Sequence, residues 1–384
     1  DMAEHALDMA QGRGGDQAAE MTLDGFTFYG GVSHGVEKRS KVRSRLVADQ
    51  LVKLIKEADH VVIMGHRMSD LDAIGAAEGV LRICKICDVP AVIAVRRDAT
   101  LAASLIDALC KAGQKDDFID PKDALPIISK RTLCIVVDTY QAGLVESKDI
   151  LEKCGKVAVI DHHRKGVGYI ENPALVCHEP YSSSASELVT ELLQYVGERD
   201  DKPNRVEAEG LLAGILLDTQ DFTLHTGVRT FEAAAALRRY GAETERVRRL
   251  FDVTMVEYNA KADLVEKAQM YKNCAISIGG EVAPEARVAI AQAANDLLRI
   301  QGVDASFVAV QVGNGVNVSA RSMGAVNVQV IMESLGGGGH QTMAAAQLKH
   351  ITPQAARSRI QDAIDQYYLS QKKTTPEARP AKGE

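Results

Sequence analysis

Aspartates and histidines of this sequence collect at the ends of short apolar runs. The stretches GHRMSDLDAIG, CIVVDTY and VAVIDHH each place such residues directly after a run of strand type, and GILLDTQDF places one at the end of an apolar helix. In chain order they are His66, Asp70, Asp72, Asp138, Asp161, His162, His163 and Asp218. Carboxylates with a minority of imidazoles suit divalent ions such as Mn²⁺ or Mg²⁺ better than a thiolate zinc site does.

A single aspartate at a strand end is ordinarily a helix cap, and a single buried histidine is ordinarily a core residue. Their joint occurrence at four successive element ends favours metal binding instead. Two metals ~3.5–4 Å apart that share one carboxylate would activate a water and clamp a phosphorus centre for in-line displacement. The pattern therefore predicts phosphate-ester chemistry.

The elements that must position these residues alternate in type between about residues 43 and 224. The predicted strands are His60–Met64, Pro90–Val95, Thr132–Val137 and Val157–Ile160. The predicted helices are Ala73–Cys87, Ala102–Ala112, Ser184–Tyr195 and Val206–Leu217. Such alternation predicts an α/β fold with a mostly parallel sheet, and ligands of such sheets bind beyond the carboxyl ends of the strands.

A second, smaller α/β block is predicted after a helical segment over residues 230–269. Its strands are expected at Cys274–Ile278, Arg287–Ala291 and Phe307–Val312, followed by a glycine run at Gly336–Gly339. On composition alone that glycine run is a flexible turn. The polar residues 370–384 are expected to form a disordered tail.

Composition narrows the class of protein. The 384 residues carry a net charge of −7, which argues against a broad basic surface that holds long nucleic acid. We find no apolar run long enough for a membrane helix, and the seven scattered cysteines suit a reducing cytoplasm. Because the chain begins at Asp1, we expect it to be a piece of a longer protein.

These motifs, with SARS and LGGGGH further along, resemble the DHH phosphoesterases with a DHH-associated C-terminal domain. The resemblance covers about Val61–Leu348. It implies one metal held by His66, Asp70 and Asp138, and a second held by Asp72, Asp138, His162 and Asp218. Catalytic roles are implied for Asp138 as the bridge and for His163 as phosphate contact or general acid, with Asp161 orienting an imidazole. Mn²⁺ is the expected metal, with Mg²⁺ and Co²⁺ left open.

The same resemblance implies that the second block is a substrate-binding domain. Backbone N–H groups of the glycine run could approach a phosphate or base closely, and Arg321 could grip a phosphate with two hydrogen bonds. The implied substrate contacts are Arg321, Ser319, Ser322, Gly336, Gly337, Gly338, Gly339 and His340.

The first 42 residues are similar to the end of the degenerate GGDEF-type domain and linker of GdpP-type cyclic-di-AMP phosphodiesterases. That subclass implies hydrolysis of cyclic di-AMP to linear 5′-pApA by a hydroxide activated by two metals. A nanoRNase that also dephosphorylates 3′-phosphoadenosine 5′-phosphate stays the enzymatic alternative. A catalytically inactive nucleotide-binding module is a third reading, and DHH-type pyrophosphatases are disfavoured because their C-terminal domain lacks GGGGH.

The expected domains are a remnant of the upstream domain over 1–42, a DHH catalytic domain over 43–229, a helical linker over 230–269, a DHH-associated domain over 270–369 and the tail. We expect a cyclic dinucleotide as substrate, a cytoplasmic location, no membrane contact by this piece of a membrane-anchored parent, and a homodimer. The sequence departs from many relatives at Tyr140-Gln141-Ala142-Gly143. We expect any consequence to fall on substrate binding and rate rather than on metal binding.

Overall fold

The computed structural model describes residues 17–22, 25–30, 41–163, 168–198, 201–281, 288–339 and 341–374, together with residues 3, 6, 7 and 10. The chain divides into two compact units, Asp1–Asp252 and Val253–Glu384. Near the start, β1 (Gln17–Thr22) and β2 (Gly25–Gly30) pair as an antiparallel hairpin. Most of the predicted upstream remnant lies outside the described residues.

The first unit is built around a six-stranded parallel sheet. Its strands are β3 (Val61–Met64), β4 (Ala91–Ala94), β5 (Phe118–Ile119), β6 (Leu133–Val137), β7 (Lys156–Asp161) and β8 (Leu175–His178). The strand order is β5-β4-β3-β6-β7-β8, so β6 lies between β3 and β7 at the centre. The predicted α/β class with a parallel sheet is confirmed.

Helices cover both faces of this sheet. They are α1 (Lys41–Glu57), α2 (Leu71–Ile86), α3 (Ala103–Leu109), α4 (Pro121–Ala124), α5 (Lys148–Lys153), α6 (Ala185–Leu193), α7 (Arg205–Thr219), α8 (Val228–Arg239) and α9 (Thr244–Arg249). Along β3, Val61 and Ile63 belong to the core on one face, and Val62 and Met64 to the core on the other. Burial on both faces explains why the strands read as unbroken apolar runs.

Glycines let α2 and α7 cross at close range. A methyl group at Gly75 of α2 would lie 2.5 Å from the carbonyl oxygen of Gly210 on α7. A Cβ essentially never comes so near a backbone atom, so the interface depends on the missing side chain. The consequence is that the N-terminal turn of α2 and the C-terminal turn of α7, which both carry predicted ligands, are held against each other.

The second unit contains a mixed six-stranded sheet and four helices within its described residues. The strands are β9 (Gln269–Tyr271), β10 (Cys274–Glu281), β11 (Ala305–Val312), β12 (Gly315–Ser322), β13 (Gly338–Gly339) and β14 (Met343–Lys349), in the order β13-β14-β12-β11-β10-β9. The helices are α10 (Met255–Glu266), α11 (Val288–Leu297), α12 (Val328–Ser334) and α13 (Pro353–Thr374). One core lies under α12 and α13, and another under α10 and α11.

Two predicted elements of this unit are wrong. The segment expected as a strand at Arg287–Ala291 is the start of α11, and Arg287 itself lies outside the described residues. The buried residues Ala289, Ile290, Ala293, Ala294 and Leu297 follow a helical spacing that continues beyond the short apolar run. Residues 370–374 continue α13 rather than starting a tail, and residues 375–384 lie outside the description.

The helical segment between the predicted domains is divided between the two units. Ala233 and Leu237 of α8 and Val247 of α9 are buried in the core of the first unit, whereas α10 falls within the second. The amphipathic pattern predicted helices but could not say which core each one joins.

Candidate metal centre

Three neighbouring strands deliver the predicted ligands to one edge of the parallel sheet. His66 follows β3 by two residues, Asp138 follows β6 directly, and His162 follows β7 directly. Because these strands are adjacent and parallel, their carboxyl ends meet at one edge. Residues separated by up to about a hundred positions in sequence therefore become neighbours in space.

Asp138 lies at the centre of the arrangement. Its side chain is 2% exposed, and its backbone has a left-handed conformation with φ of 57°. Its N–H donates to the carbonyl of Ile160, which ties this residue to the end of β7. Aspartate is one of the few residues besides glycine that adopt this conformation readily. The turn ends the strand and aims the carboxylate across the sheet edge.

A first ligand group joins Asp138 to His66 and Asp70. His66 Nε2 lies 3.4 Å from Asp138 Oδ2 and 3.8 Å from Asp70 Oδ1. His66 Nδ1 donates to the carbonyl of Arg67 at 2.8 Å, which leaves Nε2 to face the two carboxylates. This second hydrogen bond is the arrangement that orients histidine ligands in metal sites. Asp70 also accepts from the N–H groups of Asp72 and Ala73, capping α2.

A second ligand group shares Asp138 and surrounds His162. His162 Nε2 lies 3.1 Å from Asp218 Oδ2, 3.3 Å from Asp138 Oδ1 and 4.0 Å from Asp72 Oδ2. One ligand atom from each of the four residues lies within 4.8 Å of the others. The two groups meet at Asp138, whose Oδ2 faces His66 and whose Oδ1 faces His162. One carboxylate is thus placed to bridge two ions.

Asp72 is held rigidly by the start of α6. Its Oδ2 accepts from the N–H of Ala185 at 2.7 Å, and its Oδ1 accepts from the N–H of Ser186 at 2.8 Å. Ser184 caps α6 by accepting from the N–H of Glu187. Two backbone donors at a helix N-terminus stabilise a carboxylate, and here they fix the position of a predicted ligand.

His163 lies beside the two groups and is oriented by Asp161. Asp161 Oδ1 lies 2.8 Å from His163 Nδ1 and accepts from the His163 N–H at 3.2 Å. His163 Nδ1 is also 3.6 Å from Asp138 Oδ1. The predicted role of Asp161 as the residue that orients an imidazole agrees with this contact.

Sequence reasoning missed His178, which holds the main chain of the same turn. Its Nε2 donates to the carbonyl of His163 at 2.5 Å, and its ring packs against Tyr140 with centroids 5.5 Å apart. His178 ends β8, a short strand that we did not predict. A lone histidine after a short apolar run carries no signal that could have identified it.

The charges in the centre perturb one another strongly. Burial lowers the pKa of the His66 imidazole, but Asp138 and Asp70 outweigh it and raise this pKa to about 11. His162 likewise has a pKa held well above its usual range by Asp138 and Asp218, despite its burial. Burial and the neighbouring carboxylates of Asp138 and Asp218 raise the pKa of Asp72. Without a metal, protons must therefore neutralise part of this cluster.

The polar atoms of the centre fit a pair of divalent ions. Asp138 Oδ1 and His162 Nε2 are buried and lack a hydrogen bond of acceptable geometry within the described residues. Unsatisfied buried acceptors are costly unless a ligand or ion completes them. Oxygen-rich groups with one imidazole each suit Mn²⁺ or Mg²⁺. The eight predicted residues of the first unit are all brought together here.

Several of the substrate residues predicted in the second unit lie on two strands of its sheet that β14 separates. Ser319 and Arg321 are on β12, and Gly338 and Gly339 form β13. Gly337 packs so tightly that a methyl group there would lie 2.1 Å from the carbonyl oxygen of Ala345, while Gly336 has φ of 81°. His340 lies outside the described residues.

Ser322 differs from this expectation. It is fully buried, and its hydroxyl accepts from the N–H groups of Gly324 and Val326. Those bonds build the turn after β12, so the structure places Ser322 in the support of the strand rather than at an open face.

Family comparisons match both units. Residues 60–215 match the DHH family, N-terminal domain, and residues 283–369 match the DHHA1 domain. The chain belongs to the DHH family. Within it, the chain is 45% identical over 373 residues to the cyclic-di-AMP phosphodiesterase GdpP of Geobacillus thermodenitrificans and 43% identical over 378 residues to that of Bacillus subtilis. Both alignments cover 96% of this chain but 56% and 57% of the relatives, so the chain spans little more than half their length.

The chain is also similar to two more distant proteins. The bifunctional oligoribonuclease and PAP phosphatase NrnA of Thermus thermophilus is 27% identical over 85% of this DHH chain and 95% of its own length. Among solved structures, an exopolyphosphatase-related protein from Bacteroides fragilis gives a TM-score of 0.72 at 19% identity, covering 85% of this chain and 98% of the other. At that identity the likeness shows the shared fold. In the described residues no helix has the length and apolar character needed to cross a membrane.

Proposed function

We propose that this chain is a metal-dependent phosphodiesterase that hydrolyses cyclic di-AMP to linear 5′-pApA. The observation that carries the proposal is the position of Asp138 between two ligand groups. It is supported by the identity of 43–45% to proteins named cyclic-di-AMP phosphodiesterase, along almost the whole chain.

Two divalent ions, with Mn²⁺ the first candidate, would be held by the residues of those groups. His66, Asp70 and Asp138 would hold one, and Asp72, Asp138, His162 and Asp218 the other. Such ions, when bound, lower the pKa of a water and offset negative charge at phosphorus. The protein contributes the fixed positions of these side chains, which are set by three strand ends and two helix ends.

The chain's own residues supply the proton for the leaving oxygen. His163 lies at the edge of the cluster, and Asp161 accepts its hydrogen bonds on one side of the ring. Burial and His162 lower the pKa of His163, while Asp161 and Asp138 outweigh them and raise it. A histidine whose pKa is raised in this way is suited to donate a proton to the departing ribose oxygen.

Arg321 of the second unit would contribute phosphate binding. Its Nη1 donates to Ser319 Oγ at 3.1 Å and to the carbonyl of Ala320 at 2.9 Å, while its Nε is buried without a partner among the described residues. No carboxylate neutralises it within the described part of the chain. A buried guanidinium without a counter-ion favours an anionic ligand.

A nanoRNase that also acts on 3′-phosphoadenosine 5′-phosphate is the second candidate. It is favoured by the match to NrnA, which extends over 95% of that protein. The two candidates use the same metal centre and differ in the substrate accepted by the second unit.

One assay separates the two candidates. The purified chain is given Mn²⁺ and, in parallel, cyclic di-AMP, linear pApA and 3′-phosphoadenosine 5′-phosphate, and the products are resolved by chromatography. We expect cyclic di-AMP to be converted to pApA fastest. Preference for the linear dinucleotide or the bisphosphate would establish the nanoRNase candidate instead, and no turnover of any of the three would refute both.

A further inference from the structure

One face of the sheet in the second unit is covered by helices over β11, but from β12 to β14 no described helix covers it. Along β12, Val316, Val318 and Ala320 are buried under α12 and α13. Because side chains alternate along a strand, the residues between them point to the opposite face. That face therefore carries a polar row, formed by Asn317, Ser319 and Arg321.

This row lies at the border of the part of the sheet that α10 and α11 cover. On one side it adjoins β11, whose Val308 and Val310 are buried beneath α10 and α11. On the other side it adjoins β14, whose Ala345 and Gln347 face the same way and are exposed. The polar row thus borders a helix-covered half of the sheet on one side and an open half on the other.

Two carboxamides face each other at one end of the open half. Asn317 and Gln347 are direct cross-strand partners, which places their Cβ atoms roughly 4.5–5.5 Å apart. Asn317 Oδ1 is buried and has no hydrogen-bond partner within the described residues. A buried acceptor of this kind costs free energy unless a ligand donates to it.

Arg321 lies at the other end of the same row. It comes four positions after Asn317, a span of about 13 Å along a strand. That span is comparable with the separation between the phosphate and the far edge of the base in an extended nucleotide. An anion-binding group and a pair of hydrogen-bonding carboxamides are therefore arranged at the two ends of a nucleotide-sized surface.

We propose that Asn317 and Gln347 recognise the adenine base of the substrate while Arg321 binds its phosphate. The proposal rests on the function proposed above and names the residues that select the base. Adenine presents an acceptor at N7 and a donor at N6, which one carboxamide pairs bidentately. Guanine presents two acceptors at that edge and would leave the carboxamide oxygen unpaired.

The test compares substrates that differ in their bases. Initial rates with Mn²⁺ are measured for cyclic di-AMP, cyclic di-GMP and bis(4-nitrophenyl) phosphate, using the wild type, Asn317→Leu and Gln347→Leu. We expect Asn317→Leu to lower kcat/KM for cyclic di-AMP by about 10- to 100-fold, mainly through KM, because a bidentate pair is worth ~1–3 kcal/mol. The loss on bis(4-nitrophenyl) phosphate should be at least about tenfold smaller. The preference for cyclic di-AMP over cyclic di-GMP should shrink by a similar factor.

A matched control is Asn314→Leu, which removes an exposed carboxamide from the turn before β12. Its kinetics should equal those of the wild type. Calorimetric titration with AMP and GMP adds a readout that needs no turnover, and wild type should favour AMP while Asn317→Leu loses that preference.

The outcomes separate the two proposals. If wild type cleaves cyclic di-AMP but Asn317→Leu keeps its base preference, or loses all three substrates equally, base recognition by this face is refuted and the phosphodiesterase assignment stands. If wild type cleaves bis(4-nitrophenyl) phosphate but not cyclic di-AMP, the proposed hydrolysis of cyclic di-AMP is refuted. In that case the AMP titration still decides whether Asn317 recognises adenine.

Discussion

Gly214 of α7 lies directly against Asp72 of α2, one of the predicted metal ligands. A methyl group added at Gly214 would come within 2.6 Å of Asp72 Oδ1 and 2.8 Å of Asp72 Cα. Both contacts are shorter than real Cβ atoms make. The position of one carboxylate in the centre therefore depends on the absence of a side chain on the neighbouring helix.

Replacement Gly214→Ala should displace Asp72 and weaken the metal site of which it is part. We expect bound Mn²⁺ to fall from two equivalents towards one, measured by elemental analysis after dialysis, with a corresponding loss of turnover. The control is Gly79→Ala at the same helix interface, where the methyl group would meet Val189 Cγ1 at 2.5 Å. Both variants should lower the melting temperature, but equal metal loss in both would contradict a local effect on Asp72.

Replacement Asp138→Asn tests the shared carboxylate. Asparagine tolerates the left-handed backbone that Asp138 adopts, so the variant should keep the turn and lose only the charge. We expect both ions to bind more weakly and turnover to fall by more than about 100-fold, the scale on which a preorganised electrostatic group acts. The exposed Asp116→Asn serves as control. Unchanged metal content with near wild-type turnover would refute the bridging assignment.

Metal binding should release protons. In the metal-free protein the carboxylates hold His66 and His162 protonated at pH 7, with the pKa of His66 near 11. Because the ligands must be deprotonated to bind, Mn²⁺ affinity should rise with pH by up to about tenfold per unit for each proton released. Calorimetry in buffers of different ionisation enthalpy counts those protons. An affinity that is constant between pH 6 and pH 9 would exclude this coupling.

Replacement His163→Asn should show a loss that depends on the leaving group. Removing a general acid ordinarily costs about 10²–10⁴-fold in rate. A ribose oxygen needs that proton, whereas 4-nitrophenolate leaves without it, so the loss should be much larger for cyclic di-AMP than for bis(4-nitrophenyl) phosphate. Equal losses on both substrates would point to metal or phosphate binding as the role of His163.

Glu78 should make stability depend on pH. It is buried between α2 and α7, and burial together with Glu207 raises its pKa to about 8. The folded protein therefore favours the protonated form, so the carboxyl group lowers stability progressively from about pH 4.3, the ordinary value for glutamate, to above pH 8.

The variant Glu78→Gln keeps the shape without the charge. We expect it to unfold at a higher temperature than wild type at pH 9, with a gain on the order of a few kcal/mol, and to match wild type near pH 4. The exposed Glu152→Gln should change neither value. A gain of equal size at both pH values would mean that the charge of Glu78 is not the cause.

Much of the candidate centre could be predicted because each predicted ligand lies at or near the end of a strand or helix with a clear apolar pattern. Asp138 comes directly after five buried apolar residues, and Asp218 lies in the last turn of a helix that is capped at Asn204. Parallel strands then dictate that such ends meet. Ser319 and Arg321 were predicted only through the family resemblance, because a single arginine in a strand has no pattern of its own.

The remaining features depend on contacts that local sequence does not encode. The role of His178 arises from the pairing of β8 with β7, which places it beside the carbonyl of His163. The pairing of Asn317 with Gln347 depends on the register between β12 and β14, which the local sequence does not determine. The error at residues 287–291 has a local cause, since a short run of valine, alanine and isoleucine suits a strand or a buried helix equally.

The strand order of the first unit also has a consequence for how the centre forms during folding. Its predicted ligands come from residues 66 to 218, and the central strand β6 pairs with β3, which lies about seventy residues earlier in the chain. Parallel pairing of this kind is slow, because the entropy cost of closing a long loop comes before the stabilising contacts form. Tight Mn²⁺ binding should therefore appear late in refolding, because it requires that the long-range strand pairing is complete.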